Sequence, residues 1–209
     1  MIVISHRGYW KTAVEKNRPI AFQRSFDFGF GAETDVRDRN GALVIAHDPP
    51  DDTAITLESI LDMLGGRDLP LAINVKADGL GRMLMFAMRA RGLRQWFTFD
   101  MTVPELVAQI RLGLPVYTRA SEYERSPPCY DQAAGVWLDA FHGPWYTGAI
   151  VRQFLNDRKA VSIVSPELHG RDHLPLWAML RAEGVYSHPS LMICTDLPED
   201  ARAFFGSMR

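Results

Sequence analysis

Short apolar, β-branched runs alternate along this chain with longer segments whose apolar residues recur three and four apart. The runs predict strands over Ile2–Ser5, Ala32–Arg37, Leu43–His47, Leu71–Lys76, Trp96–Asp100, Val116–Thr118, Gly135–Leu138, Val161–Ser165 and Leu191–Thr195. The longer segments predict helices over Asn17–Phe28, Leu57–Leu64, Gly79–Arg91, Val103–Leu112, Thr147–Asn156, Pro175–Glu183 and Pro198–Met208. Local punctuation agrees: Thr56 stands where an N-cap belongs, and Gly92, Gly113 and Gly184 follow helices as C′ glycines do. The alternation is weakest over Tyr117–Ala134, where Ser126-Pro127-Pro128 reads as loop.

Strand–helix alternation on this scale means a parallel sheet with crossover helices. An open doubly wound sheet and a closed barrel both satisfy it. No G-x-G-x-x-G follows the first strand, where a dinucleotide-binding open sheet carries it. Polar residues recur instead at the carboxyl ends of different strands: His6, Arg7, Glu33, Asp35, His47, Lys76, Asp139 and Glu167. A barrel gathers all its strand ends on one face, where catalytic groups collect. The expected fold is therefore an α/β protein of the (β/α)8 TIM-barrel class, of minimal size, with residues 1–209 as one domain.

Composition narrows the function. The chain is 47% hydrophobic and 23% charged, which fits a globular protein and excludes wholesale disorder. Its 23 basic and 25 acidic residues leave a formal charge of −2, so a nucleic-acid backbone is not an expected partner. No apolar run approaches the roughly 18–20 residues of a membrane span, and no basic region precedes the short apolar start as in a signal peptide. Cys129 and Cys194 lie far apart and read as free thiols of a reducing compartment, so a cytoplasmic location is expected.

The densest chemistry lies in the first 48 residues. Glu33-Thr34-Asp35 falls on a strand, so the two carboxylates point the same way and repel one another unless a cation lies between them. Oxygen ligands of this kind suit Mg²⁺ or Ca²⁺; a solvated pair at a strand edge is the plainer alternative. His6-Arg7 and His47-Asp48 each end an apolar run. Two imidazoles, a guanidinium, the Lys76 ammonium and an acidic pair make up what phosphoryl transfer requires: proton carriers and positive charge for the non-bridging oxygens.

These residues carry a resemblance. His6-Arg7-Gly8, Asn17 with Ala21-Phe22, Gly31-Ala32-Glu33-Thr34-Asp35-Val36, Asn40-Gly41 and Val44-Ile45-Ala46-His47-Asp48 resemble the glycerophosphodiester phosphodiesterase family of phospholipase-C-like barrels. Ile73-Asn74-Val75-Lys76 and Ile193-Cys194-Thr195-Asp196-Leu197-Pro198 are similar to its third-strand and closing motifs. The resemblance implies hydrolysis of a small phosphodiester. His6 and His47 would be the acid–base pair, Arg7 and Lys76 would bind the phosphate, and Glu33 and Asp35 would ligate a metal.

Two positions depart from that pattern. Lys16 stands where the family has a glutamate, with Glu15 one place early, and Asn74 replaces the glutamate of the third-strand motif. Three repairs are open. Glu15 can swing inward, Glu167 can add a carboxylate from Ser165-Pro166-Glu167-Leu168-His169-Gly170-Arg171, or the Lys16 ammonium can stand in for the metal and make the enzyme metal-independent. A rival reading is a catalytically impaired phosphate-binding or regulatory barrel, and a third is action on a sugar phosphate. Trp10, Asp139, His169 and Arg171 are further candidates for a substrate pocket, together with the aromatic residues that follow Asp139.

Overall fold

The computed structural model describes residues 1–206, and its contacts divide into two compact halves. In the half Ser5–Val116, the strands β2 (Gly31–Arg39), β4 (Leu71–Val75) and β5 (Trp96–Phe99) run parallel, with Ala32 opposite Leu71 and Leu71 opposite Trp96. Beyond β5, Thr98 bridges to Val116, again in parallel. All five residues of β4 are buried, as expected of a strand covered on both faces. The helices α1 (Pro19–Asp27), α2 (Leu57–Leu64), α3 (Gly81–Ala90) and α4 (Val103–Arg111) pack against these strands through Phe22, Leu61, Leu84 and Leu106.

The run ending at His47 is not a barrel strand. It forms β3 (Ala42–Ile45), which pairs antiparallel with the far end of β2, Val36 opposite Ile45. The cause is local: Asn40 and Gly41 both take positive φ, 50° and 80°, as a tight hairpin turn requires. The hairpin lengthens β2 to nine residues and puts Glu33 and Asp35 within a strand rather than at its tip.

The other half, Met1–Ile4 with Tyr117–Arg209, contains β6 (Tyr117–Ala120), β7 (Gly135–Leu138), β8 (Ala160–Val164) and β9 (Leu191–Thr195) in the order β6-β7-β8-β9, and then β1 (Ile2–Ser5). Helices α5 (Gly148–Asn156), α6 (Leu174–Ala182) and α7 (Pro198–Gly206) follow β7, β8 and β9. The predicted extension of the last helix to Met208 lies outside the described residues. Trp177 is the largest fully buried side chain; its ring meets Phe204 and Phe205 at 5.6 Å, and its indole N–H donates to Ser165 Oγ. No helix follows β6, in keeping with the loop-like composition there.

Eight strands, β1, β2 and β4–β9, alternate with helices in the manner of a (β/α)8 TIM barrel, with β3 as an addition. Among the described residues no helix is long and apolar enough to cross a membrane. Both cysteines are free thiols.

The link from β1 to α1 is tightly built. Ser5 donates or accepts with Ser25 Oγ at 2.7 Å and donates to the Gly31 carbonyl, while the Tyr9 amide donates to Ser25 Oγ. Gly8 sits at φ 81°, and a Cβ there would lie 2.8 Å from Ala21. Gly8→Ala is expected to lower unfolding stability by about 2 kcal/mol or more, through backbone strain and displacement of α1. A urea titration reads this as a lower midpoint at an unchanged slope.

Candidate active site

Two successive left-handed residues, Arg7 at φ 56° and Gly8 at φ 81°, end β1 abruptly. Such a conformation is costly for arginine, and it is held here by what the turn accomplishes. The Arg7 amide donates to Glu33 Oε2 at 3.1 Å, and its guanidinium Nε lies 2.9 Å from Asp35 Oδ2. The Arg7 carbonyl accepts from the amide of Asn17, itself left-handed at φ 58°. Asn17 Nδ2 donates to Asp35 Oδ2 at 2.8 Å, and its Oδ1 accepts from Thr34 Oγ1. Asn17 thus ties the loop before α1 to both neighbours on β2.

Asp35 is fully buried, and a second cation faces it: Lys76 Nζ stands 3.4 Å from Oδ1. The Lys76 amide donates to the Val36 carbonyl, so the parallel register of β4 on β2 carries the ammonium to the carboxylate. Burial, then the charge of Asp35, pushes the Glu33 carboxyl up to about 8, against the pull of Arg7 and Lys76. Glu33 thus holds its proton more readily than an ordinary carboxyl, and Asp35 beside it stands between two cations. Asn74, opposite Asp35 in the register, donates through Nδ2 to Asp100 Oδ2 at 3.4 Å, and its own Oδ1 has no hydrogen-bond partner among the described residues.

Both histidines lie next to groups held by β2. His6 directly precedes Arg7 and is half-buried; His47 follows Ala46, whose amide donates to the Asp35 carbonyl at 3.0 Å. The Arg37 guanidinium donates twice to the His47 carbonyl, at 3.0 and 3.1 Å. His47 Nδ1 lies 3.0 Å from Asp48 Oδ1, which leaves Nε2 open to solvent chemistry, and the side chain is 47% exposed. Arg7, Lys16, Asn17, Arg18, His47 and Asp48 line one cavity of about 360 Å³. Its wall carries three cations, Arg7, Lys16 and Arg18, against the two carboxylates of Asp48 and Asp51, a balance that favours an anionic guest.

Of the remaining candidates, Lys16 alone lines this cavity among the described residues. Lys16 lies over the Trp10 ring at 4.4 Å, on the wall of the same cavity. Glu15 does not swing toward the acidic pair: its carboxylate accepts from the Lys11 amide and pairs with Arg24 at 2.8 Å. Nor is Glu167 a free ligand. It accepts from Ser165, Thr195 and the Asp196 amide, and so joins β8 to β9 within its own half. Asp139 there accepts from His169 Nε2 and the Ala140 amide, both at 2.7 Å, and the Arg171 guanidinium donates to the Ala140 carbonyl. The aromatic residues after Asp139 already carry cations on their faces: Arg119 lies over Phe141 and Arg125 over Trp145. Among the described residues, no three His, Cys, Asp or Glu side chains converge as a metal cluster.

The roles of Asn17, Arg37 and Asp100 were not legible as site chemistry in the sequence. Asn17 stood in a recognisable motif without an assigned partner, and Asp100 ends an apolar strand as the other candidates do. Arg37, by contrast, acts through a backbone contact that no residue pattern signals.

Comparison with solved structures gives the same fold over nearly the whole chain. A glycerophosphodiester phosphodiesterase from Agrobacterium tumefaciens superposes with a TM-score of 0.72 at 17% identity, covering 99% of this chain and 100% of that one. A phosphodiesterase from Oleispira antarctica, solved with the product sn-glycerol-3-phosphate, gives 0.72 at 15%, over 99% and 97%. A glycerophosphoryl diester phosphodiesterase from Parabacteroides distasonis gives 0.70 at 12%, over 99% and 86%. A phosphoribosyl anthranilate isomerase from Thermus thermophilus follows at 0.52 and 15%. No family model matches the chain, and no curated protein matches it by sequence. The chain has the (β/α)8-barrel fold of the glycerophosphodiester phosphodiesterases.

Proposed function

We propose that this protein hydrolyses a small phosphodiester of the glycerophosphodiester kind. The observation that carries the reading is the clamp on Asp35: Arg7 at 2.9 Å and Lys76 at 3.4 Å, with Arg7 on the wall of the cavity that also holds His47. A buried carboxylate with two cations fixes their positions, and fixed cations stabilise charge that builds on non-bridging oxygens without reorganising during the reaction. The Oleispira structure, with sn-glycerol-3-phosphate as its product, supports a glycerol phosphoester as the substrate class.

In this reading His47 is the base. Its Nδ1 faces Asp48, so Nε2 takes the proton from the attacking oxygen, water or a neighbouring substrate hydroxyl. His6, beside the phosphate-binding Arg7, returns a proton to the leaving alcohol as the P–O bond breaks. Arg37 is a positioning residue that holds the His47 backbone.

The donor set fits a divalent ion poorly. Two buried acceptor atoms, Oδ1 of Asp35 and Oδ1 of Asn74, lack hydrogen bonds, which favours a cation nearby. Yet Arg7 and Lys76 already stand against Asp35, and Glu33 is held toward its protonated form, so little ligand charge is left for a divalent ion. The charge role therefore passes to Arg7 and Lys76. Turnover of glycerophosphodiesters and of bis(p-nitrophenyl) phosphate, with EDTA or with added Mg²⁺ or Ca²⁺, tests both statements. The expected result is turnover that changes less than about twofold between EDTA and either ion. Activity seen only with an ion restores Glu33 and Asp35 as metal ligands. Inertness toward every phosphodiester in folded protein favours the phosphate-binding reading, which the loss of carboxylates at Lys16 and Asn74 would explain.

A further inference from the structure

A second cavity, of about 260 Å³, lies entirely within the half Tyr117–Arg209 and shares no residue with the candidate active site. It opens where β7 and β8 end and α6 begins. Val164, Pro175, Leu176 and Met179 give it apolar walls. For scale, an apolar cavity of about 150 Å³ holds benzene.

Its polar lining consists of the Tyr146 hydroxyl, the Arg171 guanidinium and the exposed carboxylate of Asp172. Tyr146 lines it and is 7% exposed, yet no hydrogen bond from its hydroxyl is found among the described residues. Burial pushes that phenol well above its ordinary pKa, so it stays a donor. Arg171, also on the wall, gives one guanidinium hydrogen bond to the Ala140 carbonyl, while its buried Nε has no hydrogen-bond partner. An unpaired buried donor such as Arg171 Nε is costly, and an occupant bearing an acceptor oxygen removes that cost. The nearby carboxylates do not meet this need. Asp139 is engaged by His169 and the Ala140 amide, and the exposed Asp172 accepts the Leu174 amide at the start of α6.

We infer that this cavity binds a small organic carboxylate whose body is a single apolar ring or a short branched chain, with Tyr146 and Arg171 donating to its oxygens and Leu176 and Met179 enclosing its body. The cavity shares no lining residue with the one that holds Arg7 and His47, and the inference does not rest on the proposed function.

Benzoate is the probe. Titrated into the full chain carrying ¹³C-methyl methionine, it is expected to move the Met179 resonance saturably, and benzyl alcohol, which has the same ring without the charge, to bind about tenfold more weakly. Tyr146→Phe removes one oxygen and keeps the ring. It is expected to weaken benzoate about tenfold and to leave benzyl alcohol less affected. Arg171→Gln is expected to abolish the preference for the anion. An unmoved Met179 resonance at millimolar benzoate overturns the assignment. So do equal affinities for benzoate and benzyl alcohol, or a Tyr146→Phe protein that melts like the parent and binds benzoate as tightly.

Discussion

Alanine at His47 lowers phosphodiester turnover by roughly 10²–10⁴-fold, the range for removing a positioned general base or acid. Stability changes by about 0.5 kcal/mol or less, because the ring is half exposed and its partner Asp48 is a solvated surface residue. That combination separates a proton carrier from a packing residue. His6→Ala is expected to lose turnover to a similar extent, but His6 is half-buried, so its stability is measured alongside. Steady-state rates and thermal midpoints of the two variants decide the matter. Loss of stability with retained turnover in either would return that histidine to a structural role. The double variant sharpens the result: two residues serving one transition state lose far less together than the product of their separate losses.

Arg7→Met produces the second large effect, and on both scales at once. The guanidinium faces a carboxylate with no exposed surface, and breaking a buried pair costs about 3–5 kcal/mol because the remaining charge is left uncompensated. Lys76 at 3.4 Å and the Asn17 amide at 2.8 Å remain on Asp35, which places the expected loss near the lower end, about 3 kcal/mol. Turnover falls further than stability alone would require, since the same guanidinium is the phosphate ligand of the proposed reaction. Arg7→Lys keeps a charge but loses the planar fork that can hold Asp35 and a phosphate oxygen together, so it should recover stability better than rate. Urea unfolding and steady-state kinetics on the two variants measure the split. Equal rates for Arg7→Lys and the parent would remove Arg7 from the phosphate site.

The sequence read the alternation well because helix and strand periodicity are local. Thr56 caps α2 by accepting from the Ser59 amide, and Gly92, Gly113 and Gly184 sit at φ 63°, 74° and 69°, where C′ glycines belong. Strand identity was harder. The Leu43–His47 run has the composition of a barrel strand, and only the hairpin at Asn40-Gly41 makes it an antiparallel appendage of β2. Glu167 shows the opposite failure. Its place after an apolar strand suits a ligand, but Ser165 and Thr195 lie within reach and use its oxygens.

By itself, the sequence determined the class of fold and the chemical groups on hand: two imidazoles, a guanidinium, an ammonium and an acidic pair. Periodicity, capping and turn preference act over a few residues and are written directly in the order of side chains. The tertiary structure alone decided which groups meet. Arg7 reaches Asp35 across 28 positions and Lys76 reaches it across 41, through a left-handed turn in one case and a parallel register in the other. That Asp35 is counterbalanced by two side-chain cations follows from those contacts. Coulombic energy depends on the distance through space and on burial, and neither is a property of position along the chain.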